Sequence, residues 1–374
     1  MKNSNLLDII GLLSLFIGVL FAVFLMTRKS TNKLSNRIFG TFLLLSAVDN
    51  IFVSRAISEG FGNLDKAISL LVFLHLPVFY FYILSVCYSD FKLKWLHLLH
   101  AIPYVLINLL LLTNFYIVDA NSSIILFHNI SEATKNNIIY SSIHLQVFIY
   151  LGIIFFILIR TKKLYLENYA TNTKTFYSWL FQLVIAITIL HVFALIKNLC
   201  KFSNYNDVYY WSRVVLQTFE LSIFCWYILK ALNTPELFKS IDSKLRLTKD
   251  IVNDVEINEN AISENDDVSI LKNYMTTKEP FLNSSLTIQQ LANQMNLNVR
   301  DASILINHKI GKHFFDFINE YRIEKAKEIL KNPEHQKLTV LEILYQVGFN
   351  SKSSFNTAFK KHTGTTPTLF RKQV

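Results

Sequence analysis

Eleven polar or charged side chains interrupt otherwise apolar runs in the first 232 residues: Asp49, Asn50, Arg55, His75, Asn108, His144, Gln146, Gln182, His191, Gln217 and Glu220. Lipid disfavours such groups, so each is expected to face a bundle interior or a water-filled cavity. Two chemistries suit them. One is a ligand pocket whose occupancy shifts helix packing; the other is interhelical hydrogen bonding with one buried ion pair, for which Arg55 and Glu220 are the candidates. Asp49, Arg55, His75, His144, His191 and Glu220 are the strongest members of this polar set. The three histidines offer imidazoles to a metal, but no ligand spacing supports one. Cys87, Cys200 and Cys225 form no C-x-x-C pair, which argues against a zinc site or disulfide framework. No H-E-x-x-H, G-x-S-x-G or phosphate-cradling glycine loop is present, and His97 with His100 has no third ligand. The chain therefore does not read as an enzyme, and no cofactor is implied.

These residues must be positioned by helices in lipid. Hydrophobic residues make up 52% of the 374, aromatics 14% and charged residues only 17%, outside the usual soluble mix. A spanning criterion of about 20 mainly apolar residues gives seven candidates. They cover about 6 to 26, 38 to 58, 67 to 89, 96 to 115, 138 to 159, 176 to 197 and 212 to 232. The run 149 to 159 shows no polar stripe of the kind a water-facing bundle needs. The first run is long, follows only Lys2 and has no small-residue cleavage site, so it is expected to stay as a span.

Lys and Arg collect in the loops at 27 to 37, 90 to 95 and 160 to 175, and are sparser in the alternate loops. Because such charges resist translocation, the N-terminus is expected outside and everything after Leu232 in the cytoplasm. The outer loop at 116 to 137 is too small to fold as a binding domain. A small-molecule signal would then enter the bundle, or a membrane protein would supply it.

After Leu232 the texture changes. Pro235 ends the last run, and residues 250 to 267 hold seven acids and no Lys or Arg, so 233 to 268 reads as a flexible acidic linker. From 269 to 374 the pattern is a compact helical domain. Thr287-Ile288-Gln289-Gln290 and Thr339-Val340-Leu341-Glu342 are both capping boxes. Each opens a short apolar-periodic helix, then a turn and a second helix, at about 299 to 310 ending at Gly311 and about 351 to 362 ending at Gly364. The two units repeat at an offset of about 52 residues and are joined by a helix at about 315 to 330. A short helix, a tight turn and a second amphipathic helix is the plan that places the second helix in the DNA major groove.

Arg322-Ile323, Ala326, Leu330, Val347-Gly348-Phe349, Ser354-Phe355, Phe359-Lys360, Gly364, Thr366-Pro367 and Phe370-Arg371 together resemble the signature of the AraC/XylS family. Gly311, Phe314-Phe315 and Ile318-Asn319 are similar to the portion before it. The resemblance covers about 275 to 374, and placed after several spans it resembles bacterial membrane-bound regulators of this type. It implies base-edge reading by Arg300, Ser303 and Ile304 in the first unit and by Lys352, Ser353, Asn356 and Thr357 in the second. Donor chemistry agrees: Arg300 and Lys352 suit guanine, and Asn356 suits adenine. Lys360 and Lys361 are expected at phosphates, Phe355 and Phe359 in the core. Ala302 and Ile304 depart from the usual family residues, so the second unit is expected to dominate specificity.

The expected fold class is all-α: a polytopic seven-helix transmembrane bundle (1 to 232) followed by a cytoplasmic helical domain with two helix-turn-helix units. The expected partners are double-stranded DNA, the lipid bilayer and, by family habit, RNA polymerase and a second copy as homodimer. Thirteen Lys and Arg against seven Asp and Glu from Leu286 onward favour DNA. Two other readings are a transporter or enzyme regulated by the C-terminal module, and an always-active regulator on a passive anchor.

Overall fold

A computed structural model describes residues 4–27, 33–53, 68–115, 132–170, 174–200, 206–233, 245, 247–248 and 266–373. Among the described residues it is all-helical, and the chain divides into two compact units. Residues 1–158 and 176–243 form the first; residues 159–175 and 244–374 form the second.

The first unit holds α1 (Ser4–Thr27), α2 (Lys33–Val53), α3 (Val72–Cys87), a 3-10 turn (Trp95–Ala101), α4 (Ile102–Phe115), most of α5 (Glu132–Asn168), α6 (Lys174–Cys200) and α7 (Asn206–Asn233). Each of the seven apolar runs thus overlaps a helix. Among the described residues, three helical stretches are long and apolar enough to cross a membrane: Leu6–Thr27, Asn137–Asn168 and Tyr177–Leu199. Val72–Cys87 and Trp95–Leu109 are shorter apolar helices. In α2 and α7 the residues Arg37, Asp49, Arg213 and Glu220 dilute the apolar run.

Aromatic side chains knit this unit. Phe39 of α2 lies 4.6 Å from the ring of Tyr82 on α3 and 4.2 Å from that of Tyr227 on α7, and Trp179 of α6 lies 5.3 Å from Tyr227. The Tyr82 and Tyr227 hydroxyls, buried away from water, bond each other at 3.0 Å. Two polar tips are thereby satisfied without a charge.

The helix α5 has 37 residues, roughly 55 Å at 1.5 Å per residue, well beyond a hydrocarbon core of about 30 Å. The expected span at 138 to 159 accounts for its apolar part. Its last turns, from Ile159, group with the second unit instead.

The second unit contains α8 (Asp266–Lys278), α9 (Ile288–Gln294), α10 (Val299–Ser303) continued by a π-helical stretch (Ile304–Lys309), α11 (Phe314–Lys331), α12 (Val340–Gln346), α13 (Lys352–Thr363) and α14 (Pro367–Gln373). It therefore differs from the expected layout at both edges. Helix starts at Asp266, inside the stretch read as linker, and residues 159–175 join from far upstream. Most of the linker, 234–244, 246 and 249–265, lies outside the described residues.

Both capping boxes form. Gln290 N–H donates to Thr287 Oγ1 at 3.2 Å while Thr287 N–H donates to Gln290 Oε1 at 3.0 Å. Glu342 N–H donates to Thr339 Oγ1 at 3.1 Å, and Thr339 N–H donates to Glu342 Oε2 at 2.6 Å. The Thr339 N–H, and the Thr339 hydroxyl 2.8 Å from the same oxygen, hold the Glu342 carboxyl below the usual carboxylate range. The turns that follow also correspond across the repeat, since Asn296 (φ 55°) and Gly348 (φ 88°) are both left-handed. Asn tolerates that conformation; the second turn admits no side chain at all, because a Cβ on Gly348 would stand 2.6 Å from Phe281 O and 2.7 Å from Leu282 O.

Two cores share α11. Its first half gives Phe314, Phe317 and Ile318 to a cluster with Met275, Phe281, Leu291, Ala302, Leu305 and Ala170. Its second half gives Ile323, Ala326 and Leu330 to a cluster with Ile343, Leu344, Val347, Phe355 and Phe359. Phe355 and Phe359 are fully buried.

Gly348→Ala, which adds both strain and a backbone collision, is expected to destabilise the second unit by about 2 kcal/mol or more. Gly311→Ala meets open space at φ 71° and should cost only about 1 kcal/mol. Protease susceptibility of the C-terminal unit during thermal unfolding of the full chain measures the difference; equal losses would refute the role given to the Phe281 and Leu282 carbonyls.

Candidate functional site

The α12–α13 pair presents its second helix outward. Ser351 caps α13, its hydroxyl accepting from Ser354 N–H at 3.2 Å, so the helix begins at Lys352 with its first turn on the surface. Ser354, Phe355 and Phe359 face inward, while Lys352, Ser353, Thr357 and Lys360 are exposed and Asn356 is half-buried. These are the side chains the resemblance nominated for base edges and phosphate. Lys361 is placed differently: its ammonium lies 2.6 Å from Asp316 Oδ1 on α11 and is already paired.

The first pair is less open. Arg300 is exposed and Ile304 half-buried, but Ser303 is only 5% exposed. Its hydroxyl lies 2.9 Å from Thr248 Oγ1 and accepts from Asn307 Nδ2 at 3.2 Å. As folded here, Ser303 is turned to protein, not to a groove. The reason is a partner that local sequence does not announce: the end of α5, where Glu167 accepts from Thr248 N–H at 2.8 Å and Thr248 Oγ1 at 3.1 Å.

At the centre of the second unit stands Arg322, 1% exposed. Its Nε donates to Phe281 O at 2.7 Å, Nη2 to Asn283 O at 2.8 Å, and Nη1 to Ala170 O at 3.1 Å and Asn319 Oδ1 at 3.4 Å. The guanidinium carbon also lies 5.5 Å from the Phe349 ring centroid. Burial pulls its pKa down to about 10, which still leaves it charged at neutral pH.

In the first unit, Asp49, His75, His144, His191 and Glu220 line one cavity of about 700 Å³, together with Lys197, Arg213 and Gln217 and an apolar wall that includes Phe39, Phe42, Leu43 and Leu183. Arg55, the expected partner of Glu220, lies outside the described residues. Asn198 Nδ2 is 2.9 Å from His144 Nε2. Among the described residues His75 Nε2, His144 Nδ1 and both amide atoms of Gln217 are buried without a hydrogen-bond partner. In the sequence Gln217 is one of eleven polar residues within the apolar runs, and nothing local distinguishes it. The histidines share the cavity, yet no group of His, Cys, Asp or Glu among the described residues is arranged to hold a metal.

With this geometry in place, residues 291–373 match the family model described as a helix-turn-helix domain. The Msm operon regulatory protein of Streptococcus mutans is 30% identical over 91 residues, 24% of this chain and 32% of that protein. The uncharacterized HTH-type transcriptional regulator YdeC of Bacillus subtilis is 30% identical over 87 residues, 23% of this chain and 29% of that protein. Among solved structures, the C-terminal domain of AraT, a response regulator from Geobacillus stearothermophilus, is similar at 28% identity and TM-score 0.26, over 30% of this chain and 89% of that one. The chain carries an AraC-type helix-turn-helix domain at its C-terminal end. It covers about a third of the length of the curated relatives it matches.

Each phosphate-bound lysine contributes about one unit to the salt slope of DNA affinity. Lys360→Ala is expected to reduce the slope by about that amount, and Lys361→Ala by clearly less, because Asp316 already neutralises it. Affinity titrations at several salt concentrations decide it; equal slopes for the two variants would remove the distinction.

Proposed function

We propose that this chain is a membrane-embedded, sequence-specific DNA-binding transcription regulator of bacteria. In this reading α1 to α7 are seven spans with the N-terminus outside, and the second unit lies in the cytoplasm. The α9–α10 and α12–α13 pairs are two helix-turn-helix units joined by α11, whose 18 residues span roughly 27 Å. That length is suited to setting two reading helices about one DNA turn, roughly 34 Å, apart.

The observation that carries the reading is α13. Its apolar side is locked into the core by Phe355 and Phe359, while Lys352, Ser353, Asn356, Thr357 and Lys360 lie along the other side, within the stretch matched as a helix-turn-helix domain. Base-edge contacts come from Lys352, Ser353, Asn356 and Thr357, and phosphate contact from Lys360. Arg300 and Ile304 contribute from the first pair, so specificity rests mainly on the second. RNA polymerase and a second copy of the chain are the further partners.

The cavity in the first unit is the candidate sensing site. Its balanced charges and its unpartnered His75, His144 and Gln217 atoms suit a small amphiphilic molecule with hydrogen-bonding polar groups. Occupancy would shift a pre-existing equilibrium between two packings of the bundle.

The test is genome-wide crosslinking and sequencing of DNA bound by the full-length protein in its host, beside a Lys352→Ala, Asn356→Ala double variant. Discrete sites present in the wild type and lost in the variant are expected. No enrichment under any growth condition, or sites unchanged in the variant, would contradict the reading.

A further inference from the structure

Ser303 and Asn307 stand four residues apart and so share one side of the α10 stretch. That side is covered from within the second unit by the last turn of α5 and by Thr248. A continuous polar relay forms there. Asn307 Nδ2 donates to Ser303 Oγ at 3.2 Å, the Ser303 hydroxyl lies 2.9 Å from Thr248 Oγ1, and Thr248 donates to the Glu167 carboxylate at 3.1 Å. Asn307 Nδ2 also reaches the Glu167 carbonyl at 3.2 Å, and Asn307 Oδ1 accepts from Phe314 N–H at 2.9 Å.

The relay has a fixed sense. Glu167 can only accept, so the Thr248 proton points to it, the Ser303 proton points to Thr248, and the Asn307 amide completes the chain. The relay ends on a carboxylate that is 3% exposed and lies 3.9 Å from Lys163 Nζ. Beside it, Ala170 N–H donates to Leu286 O at 3.1 Å, and Tyr169 bridges to Thr287, the cap of α9.

Reading a base edge requires a free donor or acceptor within about 3 Å of it. While the relay stands the Ser303 donor is committed to Thr248 and the hydroxyl is buried away from any base edge, and the Asn307 amide is committed on both sides. From these contacts we infer that the end of α5 masks the Ser303–Asn307 face of the first helix pair, with Glu167 as the residue that holds the mask, so that this pair reads DNA fully only when the contact opens. The inference rests on the DNA-reading assignment above. Since Glu167 belongs to the same continuous helix as the apolar residues 137–158, a rotation or axial shift of that helix carries the mask with it.

The experiment uses the full-length protein in lipid nanodiscs, with Cys87, Cys200 and Cys225 replaced by serine and Ser303→Cys introduced. Maleimide labelling of position 303 is expected to be slow, and Glu167→Ala is expected to speed it by about tenfold or more. Glu167→Gln keeps an acceptor for Thr248 and should stay slow, which separates the contact from a general loosening. Should Glu167→Ala fail to fold, Thr248→Ala breaks the same relay and is read in the same way. Ser353→Cys, already exposed, labels quickly in every background. Labelling at 303 as fast as at 353 from the outset, or unmoved by Glu167→Ala, overturns the mask. On the most enriched genomic fragment, Glu167→Ala should lengthen the nuclease-protected stretch by about one helical turn, roughly 10 base pairs. An unchanged footprint with faster labelling overturns the link to reading. No protection by either protein indicts the DNA-reading assignment itself, which the labelling rates do not depend on.

Discussion

The second unit depends on one buried cation. Arg322 has no carboxylate against it among the bonds that hold it; its fork is satisfied by the carbonyls of Phe281, Asn283 and Ala170 and by Asn319. Taking a charge out of water is costly unless nearly every donor is bonded, and charge-assisted bonds contribute about 1.5–3 kcal/mol each. The geometry that meets this requirement draws three separate pieces of chain to one point: the turn before α9, the segment after α5, and α11 itself. On the far side the guanidinium lies near Phe349, which belongs to the second core. A lysine would supply the charge without the planar fork that reaches three carbonyls at once.

That arrangement changes what the DNA-binding domain is. By sequence position residues 159–175 are the end of α5, the connection after it and the first residues of α6; by packing they are part of the second unit. Ala170 is 1% exposed in the first core, its carbonyl serves Arg322 and its amide serves Leu286. A domain that borrows such a piece cannot be separated from the rest of the chain by cutting at a linker. The same borrowed piece ends the relay through Thr248 and Ser303, so the residues that complete the second unit also hold the first helix pair.

Much of this was legible beforehand. Capping boxes are short-range and involve side chains, so Thr287 with Gln290 and Thr339 with Glu342 were readable directly. The 52-residue repeat was also visible, and the left-handed turns at Asn296 and Gly348 keep that offset. Three features were not legible, for one shared reason. Ser303 and Asn307 look like a solvent face because their partner, Glu167, is some 140 residues upstream. Lys361 looks like a phosphate contact because Asp316 is 45 residues away. Ala170 offers Arg322 only a backbone carbonyl, which every residue possesses and no motif records. The cavity is an intermediate case: the polar residues stood out against apolar runs, but which of them converge depends on helix packing that periodicity does not specify.

The central claim is that the end of α5 and the residues just after it complete the DNA-binding domain. Hydrogen–deuterium exchange of the full chain in lipid nanodiscs tests it most directly, with residues 163–171 intact or replaced by a Gly/Ser segment of equal length. The account predicts that the replacement raises exchange across 281–310, because Leu286 O loses the Ala170 N–H, Asn307 loses the Glu167 carbonyl, and Arg322, which holds the Phe281 and Asn283 carbonyls, loses Ala170, and leaves 340–363 near its original protection. Identical exchange across 281–310 in the two proteins would contradict it.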